Sequence, residues 1–252
     1  MSRVALLTRP LPVRDGVMET LQAGGMTVLS LPTLHVSAHI DTAFEAHLLQ
    51  HNYNGVVCVS QHAVAFVAER LAALNGRFSD DTWFAAVGAA SGQALHETWP
   101  NARIITPESG DTQDTDGLWR ALTRQHLIQP NQKVLIARAQ TGRDVLLHRL
   151  QDSGVLVDVW PCYRRDEVRW RDDERHTVLG VLNQHGLVLS ITSIEGLRSL
   201  LRNLAPIPEI LWQQPVVTLH PVIAEAARHQ GFTHVVCVSP HEMSAALLAQ
   251  RD

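Results

Sequence analysis

The chain has 252 residues, 45% of them hydrophobic and 18% charged, with a formal net charge of -4. That length folds as one large or two small domains and buries a core without disulfides or structural metal. The longest apolar runs, residues 55–59 and 186–191 among them, fall far short of the roughly 20 residues that span a bilayer, and a slightly acidic chain without a basic run is not built for nucleic acid as its main partner.

Taken in chain order, short apolar runs alternate with helical patterns almost from end to end, which predicts an α/β protein with parallel sheets. The predicted strands are 4–8, 27–31, 55–59, 83–87, 103–106, 133–137, 155–160, 187–192, 215–219 and 234–238. The opening MSRVALLTRP has one Arg before a short apolar run and no small-residue cleavage site, so it reads as the first strand of a cytoplasmic protein. Between strands, Leu118 and Leu122, then Val145, Leu146 and Leu150, then Leu197, Leu200, Leu201 and Leu204 recur at helical spacing.

The chain also resembles itself. VSQHAVAFVAERL followed by AVGAASGQAL returns loosely as TSIEGLRSLLRNL followed by TLHPVIAEAA, with Ser60 and Ser193 in register and Gly88 and His220 nearly so. Two similar domains follow from this. Two extended, Pro-bearing segments break the rhythm and read as connectors, at about 32–39 and 160–169. One domain is then discontinuous, 1–36 plus 169–252, and the other spans 39–162.

In open α/β sheets ligands bind beyond the carboxyl ends of the strands. The loops there carry Thr8 and Arg9, Ser60, Gly88 to Ser91, Thr192 and Ser193, and Ser239. Such residues cap helices and leave N–H groups that suit an anion. Of the basic residues only Lys133 is a lysine, and Arg binds carboxylates with a planar fork. The fingerprints of dinucleotide sites, phosphate loops, serine hydrolases and zinc proteases are missing. His47 and His51 lie one helical turn apart without a third ligand nearby and read as solvated. Cys58, Cys162 and Cys237 have no metal or disulfide spacing and read as reduced, buried or half-buried thiols. Tyr163, one of two tyrosines, sits beside Arg164 and Arg165 in the second connector. Its phenol either donates a hydrogen bond to a reacting group or packs its ring and wets its hydroxyl.

Together LLTRP, VSQHAV, AVGAAS, LIARAQTGRDVL, CYRR, ITSIEGL and HPVIAEAARHQGF leading into VVCVSP, in that order across the chain, resemble the uroporphyrinogen-III synthase family. The resemblance implies two flavodoxin-like or Rossmann-like domains, a two-stranded connector and an active-site cleft between the domains. It implies a cofactor-free cyclising lyase. The substrate would be linear hydroxymethylbilane, a tetrapyrrole with eight carboxylates, which loses its terminal hydroxyl as water, inverts ring D through a spiro intermediate and closes as the type III isomer. Tyr163 would assist hydroxyl departure. Thr8, Arg9, Ser60, Gln61, Gly88, Ser91, Arg138, Arg143, Ser193 and His220 would bind substrate, with no metal.

The chain departs from the family pattern at His220 to Ile223, where a Gly followed by Thr residues is common, and at Ala139, where a Gly is common. A monomer is expected, meeting the preceding enzyme of the pathway only transiently. The alternatives are a non-catalytic two-lobed module for a small polyanion, or a two-lobed glycosyl or phosphoryl transferase.

Overall fold

The computed structural model of the chain describes residues 3–10, 16–142 and 144–251. Its contacts divide it into two units, Met1–Val36 with Asp166–Asp252, and Ser37–Arg165. The first unit holds β1 (Val4–Leu7), α1 (Val17–Ala23) and β2 (Val28–Ser30). The chain then leaves through β3 (Leu34–Ala38).

The second unit runs α2 (Thr42–Gln50), β4 (Gly55–Cys58), α3 (Gln61–Ala73), β5 (Trp83–Ala86), α4 (Ala89–Thr98), β6 (Ile104–Ile105), α5 (Thr115–Arg124), β7 (Lys133–Ala139) and α6 (Val145–Asp152). The chain returns along β8 (Leu156–Glu167). Back in the first unit come α7 (Asp172–Gln184), β9 (Leu187–Ile191), α8 (Ile194–Asn203), β10 (Val216–Thr218), α9 (Pro221–Gln230), β11 (Val235–Cys237) and α10 (Met243–Leu248).

All ten predicted strands are present. The two segments read as extended connectors are extended: the one after β2 contains β3, which lies beside β8, and the strand predicted over 155–160 runs on to Glu167.

The first unit has the strand order β11-β10-β9-β1-β2, and every paired strand in it is parallel. In the second the order is β3-β8-β7-β4-β5-β6, parallel from β8 through β6. Setting β8 on β2, β7 on β1 and β4 on β9 superposes one order on the other. The two units are therefore the same doubly wound sheet, entered by the chain at different strands. In the first unit the winding reverses between β1 and β9; in the second, between β4 and β7.

Continuous apolar strands make sense only if both sheet faces are covered, and in the first unit they are. Val4, Leu6, Leu187, Leu189 and Ile191 pack beneath α7, α8 and α9, through Leu182, Leu200 and Ala227. Ala5, Leu7, Val188 and Val217 face the other way, against Leu21 of α1 and Leu247 of α10. Each fully buried Leu contributes about 1.5–3 kcal/mol. One face of the second unit packs Val57, Ala85, Val134 and Ile136 against Leu118 and Leu122 of α5 and Leu146 and Leu150 of α6. Val145, read into that apolar stripe, is exposed; it opens α6 and points away from the sheet. Gly55 starts β4 because the Trp83 ring crosses it: a Cβ there would lie 2.1 Å from the indole.

Candidate active site

Side chains beyond the carboxyl ends at a winding reversal are placed to meet a ligand. In the second unit β4 leads to Ser60, whose Oγ accepts the backbone N–H of Ala63 at 3.1 Å and so caps α3. The same oxygen lies 2.9 Å from the Tyr163 hydroxyl.

A break in strand register brings those two residues together. Ala137 pairs with Trp160 and Arg138 with Pro161, but Ala139 pairs with Tyr163, leaving Cys162 as the extra residue of a bulge. Residues three apart on a regular strand face opposite sides; the bulge returns Tyr163 to the face of Trp160. There the Tyr163 ring stacks on Phe66 of α3 with centroids 5.8 Å apart, as Trp160 stacks on Phe44 of α2 at 6.2 Å.

Tyr163 is 0% exposed, so of the two uses left open for its phenol the wetted hydroxyl is ruled out. Arg165 Nη2 donates to that hydroxyl at 3.1 Å, and its guanidinium lies 5.6 Å from the ring centroid. Sequence alone sets Arg165 beside Tyr163 without giving it a role. The spacing of two on one strand, which puts both side chains on the same face, is the signal that points to one.

The other candidates of this unit surround the same loops. Gln61 opens α3 and donates from Nε2 to the Ala90 carbonyl at 3.3 Å, tying the start of α3 to the first turn of α4. Gly88 precedes α4 and offers no capping side chain; a Cβ there would meet nothing within 4 Å. Ser91 lies buried in the first turn of α4. Arg138, on β7, donates from Nη1 to Asp144 at 2.6 Å. Arg143 lies outside the described residues.

In the first unit Thr8 follows β1, but it caps no helix. Its hydroxyl donates to the Ser190 carbonyl at 2.7 Å and its own carbonyl accepts the Thr33 N–H at 3.1 Å, so Thr8 locks β1 to its neighbours. Arg9 follows, its pKa lowered by burial. Ser193 caps α8 by accepting the Gly196 N–H at 2.9 Å. His220 caps α9 with its ring: Nδ1 accepts the Val222 N–H at 3.2 Å, and Pro221 takes the first helical position. The internal repeat is thus structural, with Ser60 and Ser193 preceding α3 and α8, and Gly88 and His220 preceding α4 and α9.

His47 is not simply solvated. Its Nε2 lies 3.0 Å from Asp158 Oδ2, an oxygen that also takes the Tyr53 hydroxyl at 2.6 Å and Lys133 Nζ at 3.0 Å. This cluster sits at the amino ends of β7 and β8, away from the loops above. Among the described residues no three His, Cys, Asp or Glu side chains are grouped to hold a metal, and no helix is long and apolar enough to cross a membrane.

The fold defines a two-unit, doubly wound α/β protein with hydroxyl and guanidinium groups at its winding reversals. The sequence profile described as Uroporphyrinogen-III synthase HemD matches residues 15–248, and the chain belongs to the uroporphyrinogen-III synthase family. It is 26% identical over 162 residues to a uroporphyrinogen-III synthase of Proteus mirabilis, covering 64% of this chain and 79% of that one. It is 27% identical, again over 162 residues, to that of Salmonella typhimurium strain LT2, covering 64% of each. The uroporphyrinogen-III synthetase of Helicobacter pylori 26695 shares the fold with a TM-score of 0.64 at 14% identity, over 99% of this chain and 98% of that one. A mutant uroporphyrinogen III synthase from Thermus thermophilus matches with a TM-score of 0.59 at 15% identity, over 98% and 96%. The reading as a non-catalytic binding module gains no support from these matches.

Proposed function

We propose that this chain closes linear hydroxymethylbilane to uroporphyrinogen III, a cyclising lyase reaction that releases the terminal hydroxyl as water and inverts ring D. Family membership supports the reading, and the observation that carries it is the buried Tyr163 hydroxyl held between Ser60 and Arg165 beyond the central strands. An octacarboxylate needs many dispersed donors rather than one dominant pocket. Arg9, Arg138, Arg143, Gln61, Thr8, Gly88, Ser91, Ser193 and His220 are proposed to supply them, charge-assisted bonds contributing about 1.5–3 kcal/mol each.

The substrate's pyrroles are electron-rich enough to expel hydroxide with modest help. The protein's main task is then to hold the chain in the geometry from which ring D inverts, since unaided closure gives the type I isomer. Neither cofactor nor metal enters this scheme. We further propose that the chain works as a monomer in the cytoplasm, with domains 1–36 plus 169–252 and 39–162, and meets the enzyme that supplies its unstable substrate only briefly.

The test is the isomer composition of product formed from hydroxymethylbilane with the chain present, read as oxidised uroporphyrins. Predominantly type III supports the reading; a mixture matching the protein-free control refutes it.

A further inference from the structure

Hydrogen-bond directions around Tyr163 single out a different residue as the one that touches the departing group. A guanidinium only donates, so the Tyr163 oxygen accepts from Arg165. Among the described residues that hydroxyl meets one further polar side chain, Ser60. Were Ser60 to donate, the Tyr163 proton would be left in a fully buried place without an acceptor, an arrangement that is strongly disfavoured. Tyr163 therefore donates to Ser60 Oγ. That oxygen also accepts the Ala63 N–H, so both of its lone pairs are taken and its own proton is directed away from both partners. Ser60 is half-buried, whereas Tyr163 is wholly enclosed.

We infer that Ser60 is the hydrogen donor to the departing hydroxyl, with Tyr163 behind it as the source of the relayed proton and Arg165 as the positioning residue that holds Tyr163. This assignment rests on the cyclisation reading above. As the carbon–oxygen bond of the hydroxymethyl group breaks, the oxygen keeps the bonding pair and takes the Ser60 proton, leaving as water. The Tyr163 proton passes to Ser60, and the charge left on the phenolic oxygen faces the Arg165 guanidinium. The proton that the substrate releases as the macrocycle closes restores the relay, so no external acid is consumed.

Four variants test it: Ser60→Gly, Ser60→Thr, Tyr163→Phe and Ser60→Gly with Tyr163→Phe. Glycine is tolerated at a helix N-cap, so Ser60→Gly removes the hydroxyl with little loss of fold, which a thermal melt verifies. Ser60→Gly is expected to lower kcat about 100-fold, as loss of a general acid does, with KM little changed; Ser60→Thr restores most of it. Tyr163→Phe, which removes the proton that recharges Ser60, is expected to cost as much as Ser60→Gly, about 100-fold, and the double variant no more than Ser60→Gly alone. A Ser60→Gly enzyme near wild-type kcat beside a crippled Tyr163→Phe would overturn the assignment and make Tyr163 the donor. Wild-type chain that yields no more type III product than the control would overturn the cyclisation reading itself, and this assignment with it.

Discussion

The Glu45 carboxylate, 2% exposed, grips the Arg70 guanidinium through two parallel bonds of 2.7 and 2.8 Å. The pair ties α2 to α3, the helix that Ser60 caps and on which Tyr163 stacks. Its two halves are unequal, because the Arg70 side chain is 16% exposed and that of Glu45 only 3%. Removing Arg70 strands a buried charge, whereas removing Glu45 leaves a cation that can reach water. Arg70→Met should therefore cost about 3 kcal/mol and Glu45→Met about 1–2 kcal/mol, with the double variant recovering most of the loss. Urea unfolding of the three proteins measures this, and equal costs for the single variants would contradict it.

Asp158 gathers three donors on one oxygen. Burial pushes its pKa up, but the bonds from Tyr53, Lys133 and His47 outweigh burial and hold it below the ordinary carboxylate value. Burial and then the Asp158 bond raise Tyr53 in turn. A carboxylate depressed in the folded state stabilises fully above its unfolded pKa, near 3.9, and that contribution disappears as pH falls through the folded value. Asp158→Asn should cost about 2–3 kcal/mol at pH 7 for the weakened charge-assisted bonds. The gap from wild type should narrow below about pH 4. Chemical melts at pH 7 and pH 3 decide; an unchanged gap would contradict the role given to this carboxylate.

The three cysteines should separate by reactivity. Burial, and after it the neighbouring Cys162, push the Cys58 thiol up, and burial pushes Cys162 up to about 12. Cys237 is exposed, a correction to the buried or half-buried expectation. The thiolate is the reactive form, so an aromatic disulfide reagent at pH 8 should titrate one thiol per native chain and three after denaturation. Three reactive thiols in the native chain would contradict the packing around β4 and β8.

Much of this is legible in the amino-acid sequence. Apolar runs report the strands because both sheet faces are covered, and the Ser60 and Ser193 caps stand where a strand's carboxyl end meets a helix. The Gly88 and His220 pairing marks the repeat, although the different entry strand of the two units cannot be read from it. What escapes depends on tertiary register. Nothing local shows that Cys162 is the bulged residue, so the face and burial of Tyr163 stay hidden. Thr8 carries a hydroxyl at the expected loop, but the nearby Ser190 carbonyl takes it. Glu45 with Arg70, and His47 with Asp158, meet only when α2 lies on the sheet. No spacing in the chain announces such pairs.

The central claim is that ring D turns over. The most direct measurement supplies hydroxymethylbilane labelled with 13C in the ring D carbons and follows the product by NMR. The account predicts that the acetate- and propionate-bearing carbons of ring D exchange places relative to the bridging carbons, whereas in the protein-free control they keep their places. Product with ring D unexchanged would contradict it.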